Sequence, residues 1–182
     1  RSHGLQVRLS IRDKCHLYAL RRSLKGKQPI LLVGDNQCHI NFFSHRLVKD
    51  LISWGLYPKK TLTLRWPPIR LNMIPAFVRG YFDGDGSIYR HYFSTTHFQT
   101  GIDFAGNKHM MRSLSSVLKR NGFHPRLYGP IGKNKITWCL RMTRKRDISK
   151  FQTWIYRGAT IWLVRKRRKF THLSSRLTPP IV

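Results

Sequence analysis

Acidic residues are scarce in this chain. Its 182 residues include 35 lysines and arginines but only seven acidic residues, all of them aspartate, which gives a formal net charge of +28. The mutual repulsion of so many like charges destabilises a compact fold unless a polyanion offsets it. Nucleic acid is therefore the expected partner.

Paired cysteines and long apolar runs are also missing. Cys15, Cys38 and Cys139 are odd in number, far apart and without CxxC spacing, which argues against a disulfide framework and against a zinc site. No apolar stretch approaches the roughly 18 residues that cross a bilayer, so we expect no membrane partner. With 41% hydrophobic residues the chain can still bury a core, as one domain or as two small halves.

The most specific segment is residues 77–88, which read FVRGYFDGDGSI. Ala76, Gly80 and Gly84 recur every four residues, so on a helix they line one face with almost no side chain. Glycine inside a helix costs roughly 0.5 to 1 kcal/mol relative to alanine, which indicates a packing reason for the pair. The spacing predicts a helix that a second backbone can approach closely.

Two carboxylates follow at the C-terminal end of this helix. Asp83 and Asp85 lie where the macrodipole disfavours anions, and a bound cation would remove that conflict. In a chain with so few acids, the pair favours a site for a divalent ion.

The DGDGSI segment has two other possible interpretations. In the register of an EF-hand loop, the first and twelfth ligand positions are Tyr81 and Tyr92, which cannot supply the required carboxylates. The EF-hand interpretation is therefore disfavoured. A glycine-rich turn with solvated aspartates stays open on the spacing alone.

An internal repeat divides the chain. Residues 13–24 and 107–118 share a capping residue and one apolar helix face, and residues 40–54 resemble residues 140–154, with chance similarity as the alternative. The matched positions are Asp13/Asn107, Lys14/Lys108, Leu17/Met111, Leu20/Leu114, Leu24/Leu118, Ile40/Leu140, Phe42/Met142, Val48/Ile148, Leu51/Phe151 and Trp54/Trp154. The predicted organisation is a truncated first unit (1–65), a linker (66–75), a complete second unit (76–164) and a basic tail (165–182).

Periodicity and turn residues predict the elements of each unit. In the second unit we expect helices at 75–85, 107–121 and 147–157, strands at 87–93 and 98–105, and a hairpin at 126–140. In the first unit we expect strands at 5–11, 30–33 and 38–43 and helices at 13–25 and 47–54. The first unit thus lacks the opening helix and the first strand.

Residues 78–86, within FVRGYFDGDGSI, resemble the signature helix of LAGLIDADG homing endonucleases, and Trp66, Pro67, Pro68 and Pro75 resemble the linker before a second motif. The resemblance implies an α+β fold in which two αββαββα units form a pseudo-twofold pair. In that family the units pack through their motif helices, and the sheets form a basic saddle over duplex nucleic acid. The family also includes maturases, which act on structured intron RNA.

The resemblance also implies site residues. Asp85 corresponds to the acid that binds a divalent metal, such as Mg²⁺, for phosphodiester hydrolysis, with Asp83 as a supporting or structural acid. Ala76, Gly80 and Gly84 would form the interface between motif helices. Because one motif is visible, the chain would supply half of a paired site. Three explanations stay open: a first motif outside this sequence, dimerisation through the motif helix, or a fold kept for binding after cutting was lost.

Strand alternation proposes binding residues. Arg90 and Tyr92 would face the ligand, or Tyr89 and His91 in the other register, with Gln99 on the next strand. Ordinary solvated charges are the alternative for the cations of the later hairpin. The full set of expected nucleic-acid contacts is Arg8, Lys14, Arg90, Gln99, Arg126, Lys133, Lys135, Arg141, Arg165, Lys166, Arg167, Arg168 and Lys169.

The charge density and the basic tail favour a protein packed into RNA over an enzyme that must release DNA. We therefore expect a binder of structured RNA, with RNA favoured over DNA, in an organellar ribonucleoprotein such as a ribosome or intron complex. Other proteins of that complex would be further partners, and a mitochondrion is favoured over a chloroplast. Cleavage would be impaired. The alternative is an active, site-specific DNA homing endonuclease that makes metal-dependent double-strand cuts.

Overall fold

The computed structural model describes residues 4–57, 63–95, 97–133 and 135–174, without the side chains of residues 172–174. The first half contains β1 (Gly4–Ser10), α1 (Lys14–Ser23), β2 (Ile30–Val33), β3 (Gln37–Phe43) and α2 (His45–Ser53). The second half contains α3 (Ile74–Asp85), β4 (Gly86–Tyr92), β5 (Phe98–Gly106), α4 (Lys108–Arg120), β6 (Arg126–Ile131), β7 (Thr137–Met142), α5 (Lys145–Tyr156) and α6 (Val164–Ser174). Short 3₁₀ turns, Ile11–Asp13 and Leu71–Met73, precede α1 and α3.

The strands form two antiparallel sheets that repeat one pattern. The first sheet has the order β1-β3-β2, and the second has the order β4-β5-β7-β6. β1, β2 and β3 thus correspond to β5, β6 and β7, and β4 has no counterpart in the first sheet as described. The order of elements along the chain is the one that the sequence predicts, and each predicted helix and strand is found within about two residues of its expected bounds.

Strand alternation separates an inner face, which packs on the helices, from an outer face. On β3 the side chains of Cys38, Ile40 and Phe42 are buried, and they form the smaller core with Leu17 of α1. The larger core lies in the second half, where the Phe82 ring of α3 contacts the rings of Phe104, Phe151 and Phe170 at 5.6 to 5.8 Å between centroids. Burial of aromatic rings at these spacings is a main source of stability in such a core.

The helix ends follow local rules at most positions. Asn107 caps α4 by accepting a hydrogen bond from the Met110 N–H at 2.9 Å. Gly122 (φ 73°) follows α4 and Gly55 (φ 84°) follows α2 in the left-handed region, as the sequence predicts. The expectation for Asp13 is wrong in its detail: Asp13 precedes α1 but makes no side-chain cap. Its carboxylate accepts hydrogen bonds from Arg165 instead, at 3.0 to 3.3 Å.

The basic segment expected as a tail begins with a packed helix. Residues 164–174 form α6, and Phe170 on it is buried in the larger core. Residues 175–182 of the predicted tail lie outside the described residues. Within the part of the chain that the structure describes, we find no helix with the length and apolar character needed to cross a bilayer.

Candidate nucleic-acid interface

The outer face of the first sheet carries hydrogen-bonded polar side chains beside the exposed Leu31 and Phe43. Gln6 and Arg8 of β1 lie on it beside His39 and Asn41 of β3. Gln6 Nε2 donates to Asn41 Oδ1 at 3.0 Å, and Arg8 Nη2 donates to Gln6 Oε1 at 3.3 Å. Arg8, which the sequence predicts as a nucleic-acid contact, therefore lies on the outer face of this sheet.

The outer face of the second sheet centres on an arginine held by an aspartate. Asp103 of β5 lies opposite Arg141 of β7, and its two oxygens accept hydrogen bonds from Arg141 Nε and Nη2, each at 2.8 Å. These hydrogen bonds raise the pKa of Arg141 above its usual value, so the guanidinium is charged at any physiological pH. Its central carbon lies 5.5 Å from the Tyr89 ring centroid and 5.7 Å from that of Tyr128, within cation–π range.

The register of β4 decides between the two alternatives proposed from the sequence. Ile88 is buried and pairs with Ile102, so Arg90 shares the inner face with them, and its guanidinium lies 4.7 Å from the Phe98 ring. The prediction that Arg90 faces a ligand from the outer face is therefore wrong. Tyr89 and His91 lie on the outer face, because a shift of one residue reverses every side chain of a strand.

The remaining residues predicted to contact nucleic acid lie on strands, in a loop and on a helix. Gln99 is exposed and pairs with His91, and Arg126 is exposed on β6 opposite Arg141. Lys133 and Lys135 are exposed in the connection between β6 and β7. Lys14 begins α1, a helix of the inner side, and its ammonium lies 5.9 Å from the Tyr18 ring. Their contacts with nucleic acid stay predictions.

Lys166 has a structural position that the sequence did not reveal. It is 6% exposed, and its ammonium donates hydrogen bonds to the carbonyls of Phe82, Asp83 and Gly86 at 2.6 to 2.7 Å. Burial lowers its pKa to about 8, and Asp83 acts in the opposite direction. The expectation of a phosphate contact at Lys166 is wrong, because its donors serve the carbonyls at the end of α3. The Lys166 ammonium thus supplies a positive charge at the C-terminal end of α3.

The neighbouring cations of α6 are divided between packing and solvent. Arg165 pairs with Asp13, and the Arg167 guanidinium lies 4.2 Å from the Trp162 ring and 5.4 Å from the Tyr156 ring. Arg168 and Lys169 are exposed. Fewer of the cations at residues 165–169 are therefore available to contact nucleic acid than the sequence predicts.

The two aspartates of the motif are in unlike environments. The Asp83 carboxylate accepts a hydrogen bond from the Leu163 N–H at 2.9 Å. Burial raises the pKa of Asp83, against the effects of the Leu163 hydrogen bond and of nearby His16, Lys166 and Arg79. Asp85, the last residue of α3, is exposed. Asp83 thus has a structural partner.

The described residues do not complete a metal site. They contain no group of three or more His, Cys, Asp or Glu side chains placed to hold an ion. A single exposed carboxylate, Asp85, remains at the end of the motif helix, and Mg²⁺ sites in proteins combine more oxygen ligands than this. Mg²⁺ binding at Asp85 would require donors from outside the described residues.

The small-residue face of α3 is open. Gly80 and Gly84 are exposed, and a Cβ built on either would meet no atom within 4 Å among the described residues. Ala76, one turn earlier, is half-buried. The surface predicted for a second helix is therefore present, and the described part of the chain places nothing on it.

The Asp103–Arg141 pair and its tyrosines could not be assembled from the sequence. Arg141 is predicted as a cation of the hairpin, but its pairing with Asp103 depends on the β5–β7 register. Tyr128 was missed altogether. The only signal for it is its position two residues after Arg126, on the same face of β6.

Comparison with known proteins agrees with these observations. Residues 72–156 match the family model of a LAGLIDADG-like domain. Among curated proteins, none matches the sequence. The predicted α+β fold is confirmed by solved structures that align with 94% to 96% of this chain.

Three of these structures are LAGLIDADG enzymes solved with DNA. The homing endonuclease I-GzeII in complex with its DNA target has a TM-score of 0.68 and 12% identity over 94% of this chain and 78% of its own. The meganuclease I-SmaMI bound to uncleaveable DNA has a TM-score of 0.65 and 12% identity over 96% and 79%. The meganuclease I-AabMI bound to uncleaved DNA has a TM-score of 0.64 and 12% identity over 96% and 81%. At this low sequence identity, the structural similarity establishes the fold of this chain.

Proposed function

We propose that this chain, in which residues 72–156 form a LAGLIDADG-like domain within the fold of LAGLIDADG homing endonucleases, binds nucleic acid across the outer faces of its two sheets. The observation that carries the proposal is the placement of the exposed Arg8, Arg126 and Arg141 on these faces in a chain of net charge +28. Antiparallel sheets keep one face for the core and leave the other for a ligand. A polyanion on that face would also relieve the repulsion between the cations.

RNA is the proposed ligand. Its support is the excess of positive charge together with the exposed Tyr128 ring on the outer face of the second sheet, because RNA-binding proteins stack unpaired bases on aromatic rings. An organellar ribonucleoprotein, such as a ribosome or intron complex, is part of this proposal. The similar structures support nucleic acid in general, since each was solved with DNA.

We also propose that the chain does not cut nucleic acid unaided. Asp85 is a single exposed acid, and Asp83 is bound to the Leu163 N–H. Mg²⁺ sites of this kind combine one or two carboxylates with water and substrate phosphate oxygens, and the family resemblance implies one acid from each of two motif helices. A second carboxylate, brought by a helix on the Gly80 and Gly84 face, would have to complete such a site.

Site-specific DNA cleavage is the second candidate function. It is favoured by the position of Asp85 at the end of the motif helix and by the DNA in the similar structures. The two candidates differ in one respect that can be measured directly: only the second requires the Asp85 carboxylate.

An Asp85→Asn variant separates the two functions. We expect the unaltered chain with Mg²⁺ to produce no discrete double-strand cuts in a library of duplex DNA. We expect its affinity for structured RNA, measured by fluorescence anisotropy, to change by less than about threefold on Asp85→Asn, because one charge among so many has a small effect. Asp35→Asn, at another exposed aspartate, is the charge-matched control. Discrete cuts that disappear in Asp85→Asn but persist in Asp35→Asn would establish the endonuclease instead.

A further inference from the structure

A pocket of about 520 Å³ opens beside β6, between outer-face residues of the second sheet and the C-terminal end of α4. We call it the β6 pocket. Its lining includes Gln99, Lys119, Arg126, Tyr128, Arg141 and Arg144, and no carboxylate is among the described residues that line it. The volume is within the range of about 300 to 1,000 Å³ that is typical of pockets for small ligands.

Tyr128 and Arg141 form one wall of the β6 pocket. The Tyr128 ring is 42% exposed, and the Arg141 guanidinium lies beside it with Nε and Nη2 fixed on Asp103. The remaining amino group of Arg141, Nη1, is not engaged by Asp103, so it can donate to a ligand. An aromatic ring and a fixed guanidinium plane are the groups on which proteins stack unpaired bases.

Basic side chains from three different parts of the chain lie around the Tyr128 and Arg141 wall of the β6 pocket. Lys119 is on α4, Arg126 is on β6 and Arg144 follows β7, and all three are exposed. Exposed arginines and lysines at such positions contact phosphate oxygens. The Gln99 amide, on β5, adds both a donor and an acceptor that could read the edge of a base.

We propose that the β6 pocket holds one unpaired nucleotide of the bound RNA. Its base would stack on Tyr128 and Arg141, and its phosphates would lie among Lys119, Arg126 and Arg144. A base inside a regular helix would have to leave its stack to enter, which costs a few kcal/mol, whereas a bulged base has already left its pair. This inference rests on the proposed RNA-binding function and names the feature of the RNA that the chain would prefer.

A pair of RNA hairpins tests the inference. One carries a single-nucleotide bulge, and the other is fully paired but otherwise identical. Anisotropy titrations at one salt concentration should show about tenfold tighter binding of the bulged hairpin, since stacking of one base on an aromatic ring is of that order. Tyr128→Leu should remove this preference, and Tyr128→Phe, which keeps the ring, should retain it.

Two further variants complete the design. Arg8→Gln, on the first sheet, should weaken both hairpins equally because a phosphate contact does not distinguish them. Arg141→Lys keeps the charge but loses the planar fork, so it should also reduce the preference, and it replaces Tyr128→Leu if that variant does not fold. Unfolding midpoints of all variants establish that each is folded.

The outcomes separate the inference from the function on which it rests. Equal binding of the two hairpins would contradict the proposed role of the β6 pocket in binding an unpaired nucleotide. A preference that survives Tyr128→Leu and Arg141→Lys would contradict it too. Either result would leave the proposed RNA binding in place. Binding of neither hairpin would overturn both. Loss of the preference in Tyr128→Leu with its retention in Tyr128→Phe is the result that the inference predicts.

Discussion

Replacing Lys166 with methionine is expected to lower the free energy of unfolding by about 3 kcal/mol. The Lys166 ammonium donates to the carbonyls of Phe82, Asp83 and Gly86 in a buried setting, and methionine would leave those carbonyls without their donor. Each unsatisfied buried acceptor costs about 1 to 3 kcal/mol, and partial entry of water recovers some of the loss. For a chain of this size the change corresponds to a fall in Tm of about 6 to 12 °C.

Urea and thermal unfolding followed by circular dichroism would measure the change. Lys169→Met, at an exposed position of the same helix, is the matched control and should change the free energy of unfolding by less than about 0.5 kcal/mol. Equal effects of the two substitutions would contradict the assignment of Lys166 as the cap of α3. The consequence for function is that Lys166 contributes to the position of the motif helix and not to phosphate binding.

Affinity for structured RNA is expected to fall by a factor of about 10³ or more when the salt concentration rises from about 50 to about 200 mM. If cations of the outer faces neutralise six to ten phosphates, a plot of log affinity against log salt has a slope of about −5 to −9, because each contact releases condensed counterions. Anisotropy titrations at several salt concentrations measure the slope. A slope shallower than about −3 would mean that few phosphates are contacted and that the excess of positive charge serves another purpose.

The motif helix α3 has an exposed face of small residues on which a second helix could pack. Gly80 and Gly84 expose a backbone surface on which the described residues place nothing, and Asp85 lies exposed at its end. A helix bearing a second acid could complete both the packing and the ion site. The cations proposed to bind nucleic acid, Arg8, Arg126 and Arg141, lie on strands and not on α3, so binding and cutting can be tested with separate substitutions.

Local patterns were sufficient to predict most of the fold. Alternating burial in residues 37–43, the capping position of Asn107 and the left-handed glycines Gly55 and Gly122 are all encoded within a few residues of sequence. The repeat predicted two units with a similar succession of strands and helices, and the structure adds that their sheets have related strand orders. These features depend on short-range stereochemistry, which the sequence expresses directly.

The site was predicted less completely because its contacts join distant residues. Arg90 fell on the inner face because the buried Ile88 sets the register of β4. Arg141 needs the β5–β7 pairing before Asp103 becomes its partner, and Lys166 needs the packing of α6 before its carbonyl partners are apparent. A run of basic residues predicts a charged surface, but it does not show which of the charges will be buried.

The central claim is that nucleic acid binds to the outer faces of the two sheets. Two double variants that each remove two positive charges test it: Arg8→Gln with Arg126→Gln on the outer faces, and Arg112→Gln with Arg120→Gln at exposed positions of α4 on the inner side. The measurement is the RNA affinity of each variant as a function of salt. The outer-face pair should weaken binding by about 10- to 100-fold and make the salt slope shallower by about 2, and the α4 pair should change the affinity by less than about threefold. Equal weakening by the two pairs, or a larger effect of the α4 pair, would contradict the claim.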